Sequence, residues 1–183
     1  MTAFNEFYPF IKPDMPSCPD IAMDLELARV SNHFCSLGWV YRTEIEDTVN
    51  VGDTDFPLAI PTDTQLVGIV SAIKDGGAQF YDFTLDGDLF VLDKEATSDF
   101  DLDLTVALKK PMTATDVPDV LFRDHLDTIV FGVKSRLFMS PGKTWTNPEL
   151  AQYYERLYRQ DLSRYTTKAF NDQAHPINRA EFV

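Results

Sequence analysis

Three stretches of the chain repeat apolar residues at the three- and four-residue spacing of an amphipathic helix. The first covers about Pro19 to Leu37 and the second about Pro118 to Met139, and each opens on a proline followed by an aspartate. Both residues suit the first turn of a helix. A third helix is predicted from Asn147, which suits the capping position, with Pro148 in the first helical position. Gly38 is the predicted end of the first helix.

Between the first and second helices the pattern changes to an alternation of period two, which is typical of half-buried strands. The alternation begins at Trp39 and is clearest over residues 100–108, where apolar and polar residues take turns. Asp75-Gly76-Gly77 and Asp86-Gly87 are predicted turns, because glycine tolerates a positive φ. The pattern indicates about five or six strands in this part of the chain.

The two ends of the chain lack a regular period. Residues 1–17 combine prolines with aromatic side chains, and the prolines argue against a continuous helix. We predict an extended arm that lies against its own domain or against a neighbour, through Phe4, Phe7, Tyr8 and Phe10. After Tyr165 the pattern fades, and residues 166–183 are predicted to form an extended C-terminal tail.

These elements predict an α+β fold in a single domain. Residues 18–38 and 112–165 are expected to form a small antiparallel bundle of three main helices, because a lone amphipathic helix leaves its apolar stripe in water. Residues 39–111 are expected to form an inserted antiparallel β lobe. The arms at 1–17 and 166–183 complete the layout.

The composition argues for a globular protein that does not wrap nucleic acid. The chain has 183 residues and a formal net charge of -13, from 29 acidic and 16 basic residues. An acidic surface repels the phosphate backbone, so the charge serves either solubility or an acidic wall past which DNA slides. Neither a signal peptide nor a membrane span is expected. The two cysteines, Cys18 and Cys35, are predicted to be free thiols.

Candidate catalytic groups are few, and packing explains them better. Cys35 could pair with His33 or His125, but His33 and Cys35 point to different helix faces, and no third residue orients a base. Cys35 is therefore interpreted as a core thiol. His125 is predicted to be a surface or interface histidine.

Two sets of aspartates in the β lobe are the best candidate metal ligands: Asp82, Asp86 and Asp88, and Asp99, Asp101 and Asp103. The first set fails the spacing of a calcium-binding EF-hand loop, and the second spreads along one strand face. No phosphate-binding loop is found either. We therefore expect no catalytic, cofactor or metal site.

A turn between the second and third helices carries a more specific pattern. Ser140-Pro141-Gly142-Lys143 breaks the second helix, and Gly142 is expected to supply an unusual backbone angle. Trp145 is predicted to plug this turn, and Trp39 to pack where the first helix ends. Two stretches carry the most specific local patterns. The first is Leu37-Gly38-Trp39 followed by Val40–Glu44. The second is residues 117–153, which contain a Pro-Gly-Lys turn and an Asn-Pro helix start.

On these stretches the chain resembles the head-to-tail adaptor proteins of short-tailed phages, the group called tail tubular protein A. The resemblance implies a dodecameric ring in the virion neck, assembled in the host cytoplasm, between the portal protein and the tail nozzle or tube. DNA would pass through its channel. It also implies extended tails that grip the portal, and no catalytic residues.

In this scheme the contacts with the portal are expected in the C-terminal tail, at Phe170, Ile177, Arg179 and Phe182. The aromatic residues of the N-terminal arm are expected to contact neighbours. Two alternatives stay open. The chain could be another virion component, such as a tail terminator or tail-tube protein, or a metal-dependent hydrolase that uses the β-lobe aspartates.

Overall fold

A computed structural model describes residues 1–172 and has a mixed α+β fold, which confirms the predicted class. Within these residues the α-helices are α1 (Tyr8–Ile11), α2 (Asp20–Gly38), α3 (Asp119–Met139) and α4 (Pro148–Asp172). The strands are β1 (Thr2–Ala3), β2 (Arg42–Val49), β3 (Asp55–Pro57), β4 (Gln65–Lys74), β5 (Ala78–Gln79), β6 (Phe83–Asp86), β7 (Leu89–Leu92), β8 (Phe100–Lys109) and β9 (Asp116–Val117).

Internal contacts divide the chain into two compact units. The helical unit consists of Met1–Tyr41 and Lys109–Lys168. The β unit consists of Arg42–Leu108, together with Ala169 and the described residues after it. The helical unit is thus built from two separated parts of the sequence, and the β unit covers the whole segment between them.

The core of the helical unit is shared by α2, α3, α4 and the N-terminal segment, which we define as residues 1–18. Its buried side chains include Phe4, Phe7, Ile11 and Met15 from the N-terminal segment, Met23, Leu27, Val30 and Phe34 from α2, Leu121, Ile129, Val133 and Leu137 from α3, and Ala151, Tyr158 and Leu162 from α4. Removing this much apolar surface from water is the main stabilising term of the unit.

Proline and asparagine set the helix starts. Pro19 and Pro118 have extended backbones, with ψ of 144° and 136°, and lie one residue before α2 and α3 rather than inside them. For α4 the prediction is confirmed. Pro148 is its first residue, and the backbone N–H of Leu150 donates to Asn147 Oδ1 at 3.1 Å.

The end of α2 differs from the prediction in one detail. Gly38 is still helical, and Trp39 adopts the left-handed conformation, with φ 50° and ψ 39°, that closes the helix. Gly38 has a different role, because a Cβ atom there would lie 3.1 Å from the Cβ atom of Tyr165. The glycine therefore allows α2 and α4 to approach closely.

The predicted extended N-terminal arm is wrong for residues 4–11. Phe4–Phe7 form a 3₁₀-helix that continues into α1, and Pro9 lies in the first turn of α1, where its missing N–H costs nothing. Pro13 follows two residues after the end of α1, where it disfavours further helical residues. The aromatic residues hold the segment against the core. The free energy gained by burying their rings outweighs the low intrinsic stability of such short helices.

The β unit contains two sheets with the strand orders β2-β8-β4-β5 and β3-β7-β6. In the first sheet β2 pairs with β8 in antiparallel fashion over the whole length of β2, from Arg42 opposite Ala107 to Val49 opposite Phe100. The seven strands of this unit exceed the predicted five or six, because β3 and β5 are only three and two residues long. Strands this short leave little periodicity in the sequence.

Both predicted glycine turns are confirmed. Asp86 pairs with Leu89 across the β6–β7 hairpin, and Gly87 has φ 62°. Gly76 has φ 65° in the turn between β4 and β5, where Lys74 pairs with Ala78.

The predicted C-terminal tail is wrong for residues 166–172, which continue α4. Thr166 and Thr167 donate their side-chain hydroxyls to carbonyls one turn earlier, at 3.0 and 2.9 Å. These bonds satisfy the two hydroxyl groups within the helix, where the apolar stripe fades. Ile177, Arg179 and Phe182 lie outside the described residues.

Candidate functional site

The aromatic residues predicted to contact a neighbour divide into buried and exposed ones. Phe4 and Phe7 are buried in the helical unit, and Phe7 packs edge-on against Phe122 with ring centroids 5.1 Å apart. The assignment of Phe4 and Phe7 to a neighbour is therefore corrected, because their surface is already covered within the chain. Phe10 also contacts Phe122, at 6.3 Å, but keeps 42% of its surface exposed.

Polar contacts join the start of the chain to the start of α3. The N-terminal ammonium of Met1 and the hydroxyl of Thr2 both donate to the carboxylate of Asp119, each at 2.7 Å. The pKa of Asp119 is lowered, first by the hydrogen bond from the ammonium and then by that from Thr2. Thr2 also pairs with Val117, so β1 and β9 form a small sheet beside this contact.

A surface groove of about 430 Å³ lies between the N-terminal segment and α2. Its apolar rim includes Ile21, Leu25 and Met112, which are 79%, 47% and 48% exposed. Tyr8 closes one side by donating its hydroxyl to Asp24 at 2.6 Å. Burial raises the pKa of Tyr8 above its ordinary value, and the bond to Asp24 adds to this effect.

Sequence reasoning named none of the groove residues except Phe4 and Tyr8 as site candidates. One signal was present. Ile21 and Leu25 are four residues apart, which places them on one helix face, but this spacing does not distinguish an exposed apolar face from a buried one. The stripe that α2 buries runs instead through Met23, Leu27, Val30 and Phe34.

The turn between α3 and α4 has the predicted conformation. Gly142 has φ 70°, and Trp145 is half-buried against the core. The backbone N–H of Asn147 donates to the carbonyl of Phe138 at 2.9 Å, which fixes the spacing of the two helices. The indole Nε1 of Trp145 is buried and has no hydrogen-bond partner among the described residues.

Phe170 is the one candidate for a portal contact that lies within the described residues. It is on the last turns of α4 and is 60% exposed. An exposed phenyl ring on a helix is available to a partner.

The candidate catalytic groups do not form a reactive site. Cys35 is 1% exposed, as the core-thiol interpretation predicted, and burial raises its pKa to about 12. A thiol with this pKa is almost entirely protonated at neutral pH and is therefore a poor nucleophile. The Nδ1 atom of His33 lies 2.8 Å from the hydroxyl of Tyr158 rather than next to Cys35. Partial desolvation lowers the pKa of His33, and Arg136 lowers it further.

Of the two positions predicted for His125, surface or interface, the surface position is wrong. The backbone of α3 leaves helical geometry at this residue, with φ -134° and ψ 17°, and the imidazole is only 9% exposed. The break turns the ring inward between Phe34 and Tyr165, with centroid distances of 5.2 and 4.7 Å. Nothing in the local sequence distinguishes this histidine from one on the outer face of a regular helix.

The β-unit aspartates make hydrogen bonds within the protein. Asp99 accepts from the backbone N–H of Val51 at 2.8 Å, and Asp101 accepts from the hydroxyl of Thr48 at 3.1 Å. Over residues 1–172 no group of three or more His, Cys, Asp or Glu side chains is close enough to hold a metal ion. Glu46 lies directly opposite Asp103 on β8, so two carboxylates face each other across the sheet.

No protein-family model matches the chain. A comparison with curated proteins likewise gives no match. None of the described helices has both the length and the apolarity needed to cross a bilayer.

Proposed function

We propose that this chain is a structural virion protein of the head-to-tail adaptor class, and not an enzyme. One observation carries the proposal. The two stretches that resemble phage adaptors are separated by the β unit in sequence, yet the helices next to them share one core. Phe34, one turn before Leu37-Gly38-Trp39, packs against His125 in the second stretch at 5.2 Å. The two stretches on which the resemblance rests are therefore close in space, and this packing supports the proposal.

In the proposed assembly α2, α3 and α4 act as a three-helix bundle that forms the body of a dodecameric ring. A ring needs two different surfaces on each subunit that fit each other. The exposed apolar rim of the groove, with Ile21, Leu25 and Met112, supports such a contact, because a second copy would remove it from water. Phe10 is available on the same unit.

The net charge of -13 supports a channel through which DNA passes. An acidic wall offers phosphates no counter-charge, so the DNA is not held during ejection. The portal protein would lie on one side of the ring and the tail nozzle or tube on the other, in the neck of the virion.

The test is the mass of the complete chain, alone and mixed with the portal protein of the same phage. We expect a ring-sized complex when the portal is present. A chain that stays monomeric with the portal would overturn the proposal. Binding to tail proteins but not to the portal would favour a tail terminator or tail-tube component instead.

A truncation tests the role of the C-terminal tail separately. Ending the chain after Asp172 keeps all of α4, whereas ending it after Tyr165 would remove the last two helical turns. We expect the chain that ends at Asp172 to melt like the complete protein and to lose portal binding. Unchanged binding would refute the assignment of Ile177, Arg179 and Phe182 to the portal contact.

A further inference from the structure

An exposed patch on α4, which we define as Leu150, Tyr153 and Arg156, has the composition of a binding surface. Leu150 and Tyr153 are 39% and 47% exposed. The guanidinium of Arg156 lies 5.8 Å from the centre of the Tyr153 ring, and that ring also packs edge-on against Tyr154 at 5.2 Å. The tyrosine ring is thus held in place before any partner arrives. Tyrosine and arginine are among the side chains that most often dominate the energy of protein contacts.

Arg156 differs from the other arginines of the helical unit. Each of the others pairs with a carboxylate, namely Arg29, Arg123, Arg136, Arg159 and Arg164. Among residues 1–172 no carboxylate pairs with Arg156. An exposed arginine that lies beside apolar side chains and lacks an acidic partner is available to a carboxylate on another molecule.

The groove between the N-terminal segment and α2 has the complementary composition. It is concave, with a volume of about 430 Å³, and Ile21, Leu25 and Met112 give it an apolar rim. Of the described residues that line it, only Asp24 carries a charge. The bond that Asp24 accepts from Tyr8 comes from a neutral hydroxyl, so it leaves the carboxylate charge uncompensated. The groove therefore suits an apolar projection with one positive charge, which is what the α4 patch offers.

The two surfaces lie on opposite sides of the helical unit. Leu25 is nine residues before Phe34, which is about two and a half helical turns. Leu25 therefore lies on the side of α2 opposite Phe34, whose ring meets those of Tyr158 and Tyr165 of α4. On α4, Tyr153 lies about 140° around the helix from Tyr158. One copy can thus offer its α4 patch to a second copy while its own groove takes the patch of a third, as a ring requires.

We propose that the groove of one copy of this chain binds the α4 patch of a second copy, with Arg156 of one copy placed against Asp24 of the other. This contact rests on the proposed function, because it names the surfaces through which the copies of a ring protein join.

Cysteine cross-linking of the complete chain tests which surfaces meet. One variant carries Ile21→Cys on the groove rim, and a second carries Leu150→Cys in the α4 patch, while the native Cys18 and Cys35 are buried. Under mild oxidation the mixture should form a disulfide-linked heterodimer. Phe170→Cys is the control, because Phe170 is 60% exposed but lies about 30 Å further along α4 than Leu150. Equal linking of the Ile21→Cys variant to both partners would reflect random collision and would contradict the proposal.

Sedimentation of the complete chain measures the strength of the contact. We expect association that increases with protein concentration, and a chain that stays monomeric up to about 1 mM would refute the contact. Tyr153→Ala should weaken the association by about tenfold or more, as for other tyrosines that anchor an interface. Tyr81→Ala is the control, since Tyr81 is 50% exposed on the β unit and should leave the association unchanged. A folded Tyr153→Ala protein that associates like the wild type would overturn the proposal.

The charge pair has a test of its own. Asp24→Asn and Arg156→Gln should each weaken the association, and Asp24→Asn keeps an acceptor for the hydroxyl of Tyr8. The double variant should be no weaker than either single variant, because each substitution removes the same pair. Losses that multiply in the double variant would mean that the two side chains do not meet, and the proposal would be wrong.

Binding to the portal protein separates this contact from the adaptor role. If the cross-link fails while the chain and the portal form a ring-sized complex, the contact is wrong and the adaptor role stands. If the cross-link forms but no complex with the portal does, the contact is supported and the adaptor role is overturned.

Discussion

Val30 of α2 lies so close to Gly132 of α3 that a Cβ atom on the glycine would be 2.6 Å from the Val30 Cγ1 atom. The ring of Tyr158 from α4 would be 3.0 Å from the same Cβ atom. Three helices therefore meet at one residue that has no side chain. Real Cβ atoms do not approach other atoms this closely, so any substitution at Gly132 requires the side chains of Val30 and Tyr158, or the helices that carry them, to shift.

The first prediction is that Gly132→Ala destabilises the protein. Overpacking of this kind costs about 1–3 kcal/mol, which exceeds the gain of roughly 1 kcal/mol from replacing glycine inside a helix. Urea unfolding measures the change. Gly77→Ala is the control, because the nearest atom to a Cβ there is 3.9 Å away, and its effect should be small. A Gly132→Ala protein as stable as the wild type would contradict the close approach.

The second prediction compares two phenylalanines that contact the same ring. Phe7→Ala should lower the free energy of unfolding by about 3–5 kcal/mol, because Phe7 is fully buried. Phe10→Ala should cost less than about 1 kcal/mol, since Phe10 is 42% exposed. Chemical denaturation of both variants provides the test. Equal small effects would mean that the N-terminal segment is not part of the fold.

The third prediction concerns the reactivity of the thiols. Raising the pKa of Cys35 from 9.0 to about 12 reduces its thiolate fraction at pH 8 by about a thousandfold. Cys18 is also buried, and its pKa is raised. A colorimetric disulfide reagent should therefore find almost no fast thiol in the native protein and two in urea. Fast modification of Cys35 under native conditions would refute its burial.

The fourth prediction concerns the facing carboxylates of the β unit. Glu46 and Asp103 are directly opposite each other on β2 and β8, and like charges in this relation are destabilising. Glu46→Lys should raise stability by about 0.2–1 kcal/mol, and the gain should shrink with added salt. Glu44→Lys, opposite the uncharged Thr105, is the matched control. A gain of equal size at Glu44 would point to the overall negative charge rather than to the pair.

Residues with a strong local preference made parts of the fold predictable. Asn147 and Pro148 fixed the start of α4, and Gly87 and Gly142 have the positive φ values for which glycine is favoured. In each case the conformational preference of one residue decides the local structure. No distant part of the chain has to be known.

Other features depend on tertiary packing and left no local signal. The short helices of the N-terminal segment form because Phe4 and Phe7 have a core to enter. The break at His125 likewise depends on Phe34 and Tyr165, which are far away in sequence. The groove was missed for a related reason, since Ile21 and Leu25 have helical spacing but face outward.

The pairing of β2 with β8 has a consequence for how this chain could change over time. Arg42 and Ala107 are cross-strand partners, so the segment 42–108 leaves and rejoins the rest of the chain at adjacent positions about 5 Å apart. A segment with neighbouring ends can be shortened to a hairpin, enlarged or exchanged for an unrelated one. Recombination could therefore supply new segments between these two positions while the helical unit is inherited intact.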